Sequence, residues 1–131
     1  MGLYLVDTSA WILHFASKST FDLTAICPPA ERVLCLPIYQ EILQGIREES
    51  VFRDVKHILD SARFVENPMG ESLYVEAIAL YRLARRQGLT IRSSVDCLIA
   101  ECALRHDFVV LHHDRDFPFL AKVSPLREQS V

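Results

Sequence analysis

The stretch that decides the fold is residues 3–12, LYLVDTSAWI. Its first four residues form a short apolar run, which is typical of a strand that is buried in a sheet. The run stops at Asp7, and the packing of a strand does not explain an acid at that point. Because ligands of open α/β sheets gather at the carboxyl ends of the strands, Asp7 stands where a functional site would be built.

Length and composition indicate one ordinary globular domain over residues 1–131, with 50% hydrophobic and 24% charged residues. The formal net charge of −3 argues against a protein that simply coats nucleic acid, although it does not exclude an enzyme that cuts it. No apolar run approaches the length of a membrane span, and the N-terminus lacks the basic region of a signal peptide. We therefore expect a cytoplasmic protein without a membrane segment.

The four cysteines show no Cys-x-x-Cys spacing. In a chain without a secretion signal they are predicted to be reduced core residues rather than disulfides or zinc ligands. The adjacent His112 and His113 also give little support to a zinc site, because neighbouring side chains point in different directions.

Strands alternate with helices along the chain, and this alternation predicts an α/β fold with a parallel sheet of about four to five short strands flanked by helices. Besides the first strand, strands are predicted at residues 32–36, 64–65 and 107–111. Helices are predicted from Pro37, from Ser50, between Gly70 and Gly88, from Ser94, and over residues 117–121. Residues from about 125 to 131 are expected to form a loose tail.

Acidic residues recur where these elements meet. Asp7 and Asp114 follow strands, and Asp116 belongs to the same turn as Asp114, whereas Glu41 and Asp96 lie in the N-terminal halves of helices. Taken singly, most of them have ordinary explanations as helix or turn residues. Strand C-termini and the N-termini of the following helices lie at one edge of a parallel sheet, so these acids can converge there.

A cluster of carboxylates needs a compensating cation, because packed like charges cannot all stay ionised. Hard divalent ions such as Mg²⁺ and Mn²⁺ prefer oxygen ligands. Ions held in this way activate water and stabilise charge in phosphodiester hydrolysis, which is therefore the reaction class that the pattern favours.

The stretches that carry the acids resemble the motifs of PIN-domain ribonucleases, most closely the VapC-type toxins of bacterial toxin–antitoxin pairs. The four matching stretches are residues 6–12 VDTSAWI, 40–45 QEILQG, 94–100 SVDCLIA and 114–117 DRDF. His112 departs from the pattern, since a hydroxyl residue is usual before the last acidic turn. Together the motifs span nearly the whole chain and imply a three-layer PIN-like fold.

The resemblance implies a metal-dependent endoribonuclease that uses Mg²⁺ or Mn²⁺. Its acidic quartet would be Asp7, Glu41, Asp96 and Asp114, with Thr8 or Ser9 supporting the metal and Asp116 sharing or replacing the role of Asp114. The resemblance also implies a homodimer, a VapB-type antitoxin as partner, and an RNA substrate that is often transfer RNA. The number of metal ions stays open.

RNA must also be held by basic residues. The candidates for phosphate contacts are Arg82, Arg85, Arg86 and Arg92. The alternative from another functional class is a non-catalytic module that binds RNA or a partner and keeps its acids for a structural metal. A phosphatase with an aspartyl nucleophile is disfavoured, because Ser9 stands where such enzymes carry a second acid.

Overall fold

Five strands and seven helices make up the computed structural model, which describes residues 2–131. The strands are β1 Tyr4–Val6, β2 Arg32–Leu34, β3 Arg63–Phe64, β4 Val109–His112 and β5 Arg127–Ser130. The helices are α1 Thr8–Phe15, α2 Leu23–Ile26, α3 Leu36–Gln44, α4 Glu49–Asp60, α5 Glu71–Arg86, α6 Ser94–His106 and α7 Asp116–Lys122. None of the helices within residues 2–131 combines the length and the apolar character that crossing a membrane requires.

All five strands are parallel and lie in the order β3-β2-β1-β4-β5. The chain moves from β1 to β2 and β3 on one side, and then places β4 and β5 on the other side of β1. The strand order therefore reverses between β1 and β4. Such a reversal opens a crevice at the carboxyl ends of the two strands, where α/β proteins bind their ligands.

The two strands beside this crevice are deeply buried. Leu5 and Val6 of β1 and Val110 and Leu111 of β4 are fully buried, although successive residues of a strand point to opposite faces. Both faces of the sheet are therefore covered by helices, which confirms the predicted parallel sheet of four to five strands.

The predicted amphipathic helix between Gly70 and Gly88 is confirmed as α5, which packs against α6. Its buried residues are Leu73, Ala77, Leu80 and Ala84. Gly88 follows the helix with φ at +79°, a conformation that glycine adopts without the steric penalty of a Cβ atom.

The prediction of a loose tail over residues 125–131 is wrong, because Arg127–Ser130 forms the edge strand β5. It pairs with β4 from Val109↔Arg127 to His112↔Ser130. The four residues of this strand are polar or charged and carry no apolar alternation that would predict it. Backbone pairing with β4 holds the strand together with side-chain contacts of Arg127 with Asp107 and of Glu128 with His112. Charged side chains are common at the edge of a sheet.

Several predicted boundaries also differ from the structure. The strand predicted at 107–111 begins two residues later, because Asp107 ends α6 in the left-handed region with φ at +57°. Pro37 occupies the second position of α3 rather than the first. Ser50 lies inside α4, which begins at Glu49.

Arg32 is an unusual strand residue, because its charged side chain is buried. Its Nε donates to the carbonyl oxygen of Cys27 at 3.0 Å, and its Nη2 donates to Thr24 Oγ1 at 3.0 Å. The guanidinium also lies 5.4 Å from the ring centroid of Trp11. These contacts attach the segment that carries α2 to the sheet.

We expect Arg32→Ala to lower the free energy of unfolding by about 1–3 kcal/mol, because it leaves the Cys27 carbonyl buried without a donor. Arg63 begins the neighbouring strand with an exposed side chain, so Arg63→Ala is the matched control and should change stability by less than about 0.5 kcal/mol. Urea unfolding of both variants measures the difference. Equal effects of the two substitutions would contradict a stabilising role for the buried contacts.

Candidate active site

Asp7 follows β1 at the crevice and also begins α1. Its Oδ2 accepts a hydrogen bond from the Ser9 backbone N–H at 3.0 Å and another from the Ser9 hydroxyl. The Ser9 hydroxyl oxygen in turn accepts from the His113 N–H at 2.8 Å. Ser9 therefore joins Asp7, after β1, to the turn after β4, and it orients the carboxylate.

Three carboxylates share a small volume beside the end of β4. One oxygen each from Asp96, Asp114 and Asp116 lies within 4.8 Å of the others. Asp96 comes from the first turn of α6 and Asp116 from the first turn of α7. Asp96 and Asp116 are buried and Asp114 is half-buried. We call these residues the three-acid cluster.

Asp116 connects this cluster to the start of α6. Its Oδ2 accepts hydrogen bonds from the backbone N–H groups of Arg92 at 3.0 Å and Ser93 at 3.1 Å. Its own N–H donates to Asp114 Oδ1 at 2.9 Å. The sequence favours Ser94 as the N-cap of the helix that follows, but in the structure Ser93 is the N-cap and Ser94 is the first helical residue.

Burial and mutual repulsion shape the electrostatics of these acids. Burial is the main cause that raises the pKa of Asp96, followed by the close approach of the Asp116 carboxyl group and by the charges of Asp7, Asp114 and Asp116. Burial also raises the pKa of Asp7, against the hydrogen bonds from Ser9, which lower it. Without a cation, Asp7 and Asp96 hold protons more tightly than ordinary aspartates do.

Glu41 is exposed on α3 and lies outside the three-acid cluster. The Thr8 hydroxyl donates to Glu41 Oε1 at 3.4 Å. Partial burial raises the pKa of Glu41, and the nearby charge of Asp7 raises it further. The structure thus places Glu41 at the rim of the crevice on the side of Asp7, within the electrostatic reach of that residue.

The four candidate arginines do not form one surface. Arg92 Nη2 lies 3.5 Å from Asp114 Oδ1 at the edge of the three-acid cluster. Arg82 and Arg85 line a cavity of about 440 Å³ beside the start of α6. Arg86 lines a different groove, together with Glu76 and Glu101.

The cysteine prediction is confirmed, because all four cysteines are buried and free: Cys27, Cys35, Cys97 and Cys102. His112 is buried against Glu128, and His113 contacts the carbonyl oxygen of Val131. Over residues 2–131, the three-acid cluster is the one group of three or more acids, histidines or cysteines whose ligand atoms are close enough to hold an ion.

The cluster fits a hard divalent cation. Asp96 Oδ2 and Asp116 Oδ1 are buried and have no hydrogen-bond donor. A buried carboxylate oxygen needs a proton, a donor or a cation to offset its desolvation. All the available ligand atoms are carboxylate oxygens, which Mg²⁺ and Mn²⁺ prefer over the nitrogen and sulfur ligands of zinc sites.

Two features of this site have no signal in the sequence. The first is the binding of Asp116 to the N–H groups just before α6, from a turn 23 residues further along the chain. The second is the contact between His112 and Glu128, which depends on an edge strand that the polar sequence of residues 127–130 does not predict.

Comparison with known proteins agrees with this geometry. The PIN domain family matches residues 4–123. A VapC ribonuclease of Mycobacterium bovis and Ribonuclease VapC11 of Mycobacterium tuberculosis are each 31% identical to this chain over 134 residues, which covers 98% of this chain and 98% of each relative.

Solved structures share the fold at lower sequence identity. VapBC2 from Rickettsia felis, bound to a promoter DNA fragment, has a TM-score of 0.77 at 12% identity and covers 98% of both chains. VapBC-1 from nontypeable Haemophilus influenzae has a TM-score of 0.73 at 18% identity and covers 98% of this chain and 97% of that one. The chain therefore belongs to the PIN-domain family and, within it, to the VapC ribonucleases.

Proposed function

We propose that this protein is a cytoplasmic toxin that hydrolyses RNA phosphodiester bonds as an endoribonuclease dependent on Mg²⁺ or Mn²⁺. The observation that carries the proposal is the three-acid cluster, with two buried carboxylate oxygens that lack a donor. Membership of the VapC ribonucleases supports RNA as the substrate.

The metal would be held by Asp96, Asp114 and Asp116, with Asp7 completing the negative charge of the site. When bound, a divalent ion would supply activation of a water nucleophile and stabilisation of the charge that develops on the phosphate. Ser9 keeps Asp7 pointed at the crevice, since both its N–H and its hydroxyl donate to the carboxylate.

Glu41 has a separate role in this proposal. Its exposed position at the rim lets it meet water and substrate, and its raised pKa favours the protonated form compared with an ordinary glutamate. A carboxylate with these properties is suited to receive a proton from the attacking water. Thr8 would hold Glu41 Oε1 in place for this step.

Basic residues near the cluster would contact the RNA backbone. The exposed guanidinium of Arg92 stands beside Asp114, where a phosphate would approach the metal. Arg82 and Arg85 extend the basic surface along the neighbouring cavity, whereas Arg86 faces another groove and would contribute less. Contacts of this kind recognise the phosphate backbone of the RNA and not its base sequence. A structured RNA such as transfer RNA is therefore a suitable substrate.

Two apolar surfaces are suited to protein partners. A groove of about 400 Å³ between α1, α3 and α4 includes Ile12, Ile42 and Val55 and reaches Glu41. We assign it to a VapB-type antitoxin, because the similar structures from Rickettsia felis and Haemophilus influenzae are VapBC assemblies. The exposed side chains of Tyr74, Val75 and Ile78 on α5 would pair two copies as a homodimer.

We expect Asp96→Asn to lower RNA cleavage by about 1,000-fold, because it removes a charged ligand from the metal. The same change should raise the Tm of the metal-free protein by several degrees. Because the pKa of Asp96 is raised in the folded state, protonated Asp96 stabilises the fold at low pH, and this contribution is lost as pH rises through the folded-state pKa. Asparagine develops no charge at any pH, so the variant does not lose this stability. A change of about 1 kcal/mol shifts the Tm of such a domain by about 3–5 °C.

The exposed Asp54 on α4 provides the matched control, since Asp54→Asn should leave both cleavage and Tm unchanged. Retained cleavage in a folded Asp96→Asn protein would contradict the assigned site. A wild type that binds Mn²⁺ but leaves RNA intact would instead support the non-catalytic alternative.

We expect Mn²⁺ to raise the Tm of the wild type more at pH 8 than at pH 6. Protons compete with the metal for Asp96, and its raised pKa means that this competition is stronger at the lower pH. Thermal unfolding with and without Mn²⁺ at both pH values measures the effect. An equal rise at both pH values that persists in Asp96→Asn would place the bound ion elsewhere.

A further inference from the structure

A buried hydrogen bond links the last two strands behind the acidic turn. His112, at the end of β4, is 1% exposed, and its Nε2 lies 2.7 Å from Oε1 of Glu128 on β5. The imidazole packs on Phe117 with the ring centroids 5.0 Å apart. The ring is therefore fixed in position by an acid on one side and an aromatic ring on the other.

The second nitrogen of His112 determines which way this hydrogen bond runs. His112 Nδ1 lies 3.1 Å from the backbone N–H of Asp114, and that N–H is a donor. Nδ1 must therefore present its lone pair, and the ring proton is placed on Nε2. In this tautomer Nε2–H donates to Glu128. The geometry therefore assigns the donor and the acceptor of both bonds, from the Asp114 N–H to His112 and from His112 to Glu128.

The chain of bonds continues into the three-acid cluster. Asp114 Oδ1 accepts from the N–H of Asp116, and Asp116 Oδ2 accepts from the N–H groups at the start of α6. Glu128 touches none of the three acids in these contacts, yet His112 connects it to the backbone N–H of Asp114. The Ser9 hydroxyl also contacts the backbone of residues 112–114, because it accepts a hydrogen bond from the His113 N–H.

We propose that His112 and Glu128 are positioning residues, which hold the turn of Asp114 and Asp116 in the geometry that binds the divalent ion. The proposal rests on the proposed function for its effect on RNA cleavage. Removal of such a partner behind a metal ligand typically weakens metal binding or activity by about 10–100-fold. Because β5 is an edge strand, Glu128 can be changed without opening the core.

The test compares Glu128→Leu with Glu128→Gln. Glutamine keeps an oxygen that accepts from His112 Nε2–H, whereas leucine keeps the approximate volume and removes the acceptor. Gln129→Leu is the matched control, since Gln129 is the exposed neighbour on the same strand. Mn²⁺ affinity is measured by calorimetry, and kcat and KM are measured with an RNA substrate.

We expect Glu128→Leu to weaken Mn²⁺ binding and to lower kcat, each by about tenfold, with KM within about twofold of the wild type. Glu128→Gln and Gln129→Leu should stay within about threefold of the wild type in all three quantities. Glu128→Leu with wild-type affinity and kcat, or Glu128→Gln as impaired as Glu128→Leu, would overturn the proposal.

A metal-free readout separates this proposal from the proposed function. Nitrogen NMR of the wild type should show His112 as the Nε2–H tautomer, and the Asp114 amide resonance should move in Glu128→Leu but not in Glu128→Gln. An Nδ1–H tautomer, or an unmoved Asp114 amide, overturns the positioning role. Absence of RNA cleavage by the wild type removes the proposed function but leaves the NMR and Mn²⁺ results to decide this inference.

Discussion

Two buried carboxylates, Asp96 and Asp116, cannot both be ionised without a positive partner, and the site depends on this constraint. Asp116 uses one oxygen to bind the N–H groups at the start of α6, and its other oxygen is buried without a donor. Asp116 therefore fixes the start of the helix that carries Asp96, while its carboxylate repels the carboxylate of Asp96. In the proposed function a divalent cation would resolve the conflict, because it would compensate both acids and leave the bonds of Asp116 to these N–H groups intact.

Sheet topology explains why these acids meet. The strand order reverses between β1 and β4, so the chain after each strand enters one crevice. Asp7 arrives after β1, and Asp114 and Asp116 arrive after β4. On the β1 side of the crevice, a hydrogen bond from Ser9 orients Asp7 and one from Thr8 orients Glu41. The parallel sheet thus brings acids from opposite ends of the chain to the same edge.

The sequence predicted the parts that rest on local patterns. Short apolar runs mark β1, which stops at Asp7, and β4, which stops at His112, and a long amphipathic period marks α5. Burial of apolar faces produces these patterns directly. The edge strand β5 escaped prediction, because its ladder uses only backbone groups and its side chains are polar. Local sequence patterns also do not predict tertiary contacts, such as those of Asp116 with the N–H groups at the start of α6 and of Glu128 with His112.

The central claim is that the three-acid cluster binds a divalent ion. The most direct measurement is a crystal structure of the protein grown with Mn²⁺, with data collected for the anomalous signal of manganese. We expect a peak in contact with carboxylate oxygens of Asp96 and Asp116 and beside Asp114. A protein crystallised at saturating Mn²⁺ with no peak there, or with its manganese bound only at other acids, would contradict it.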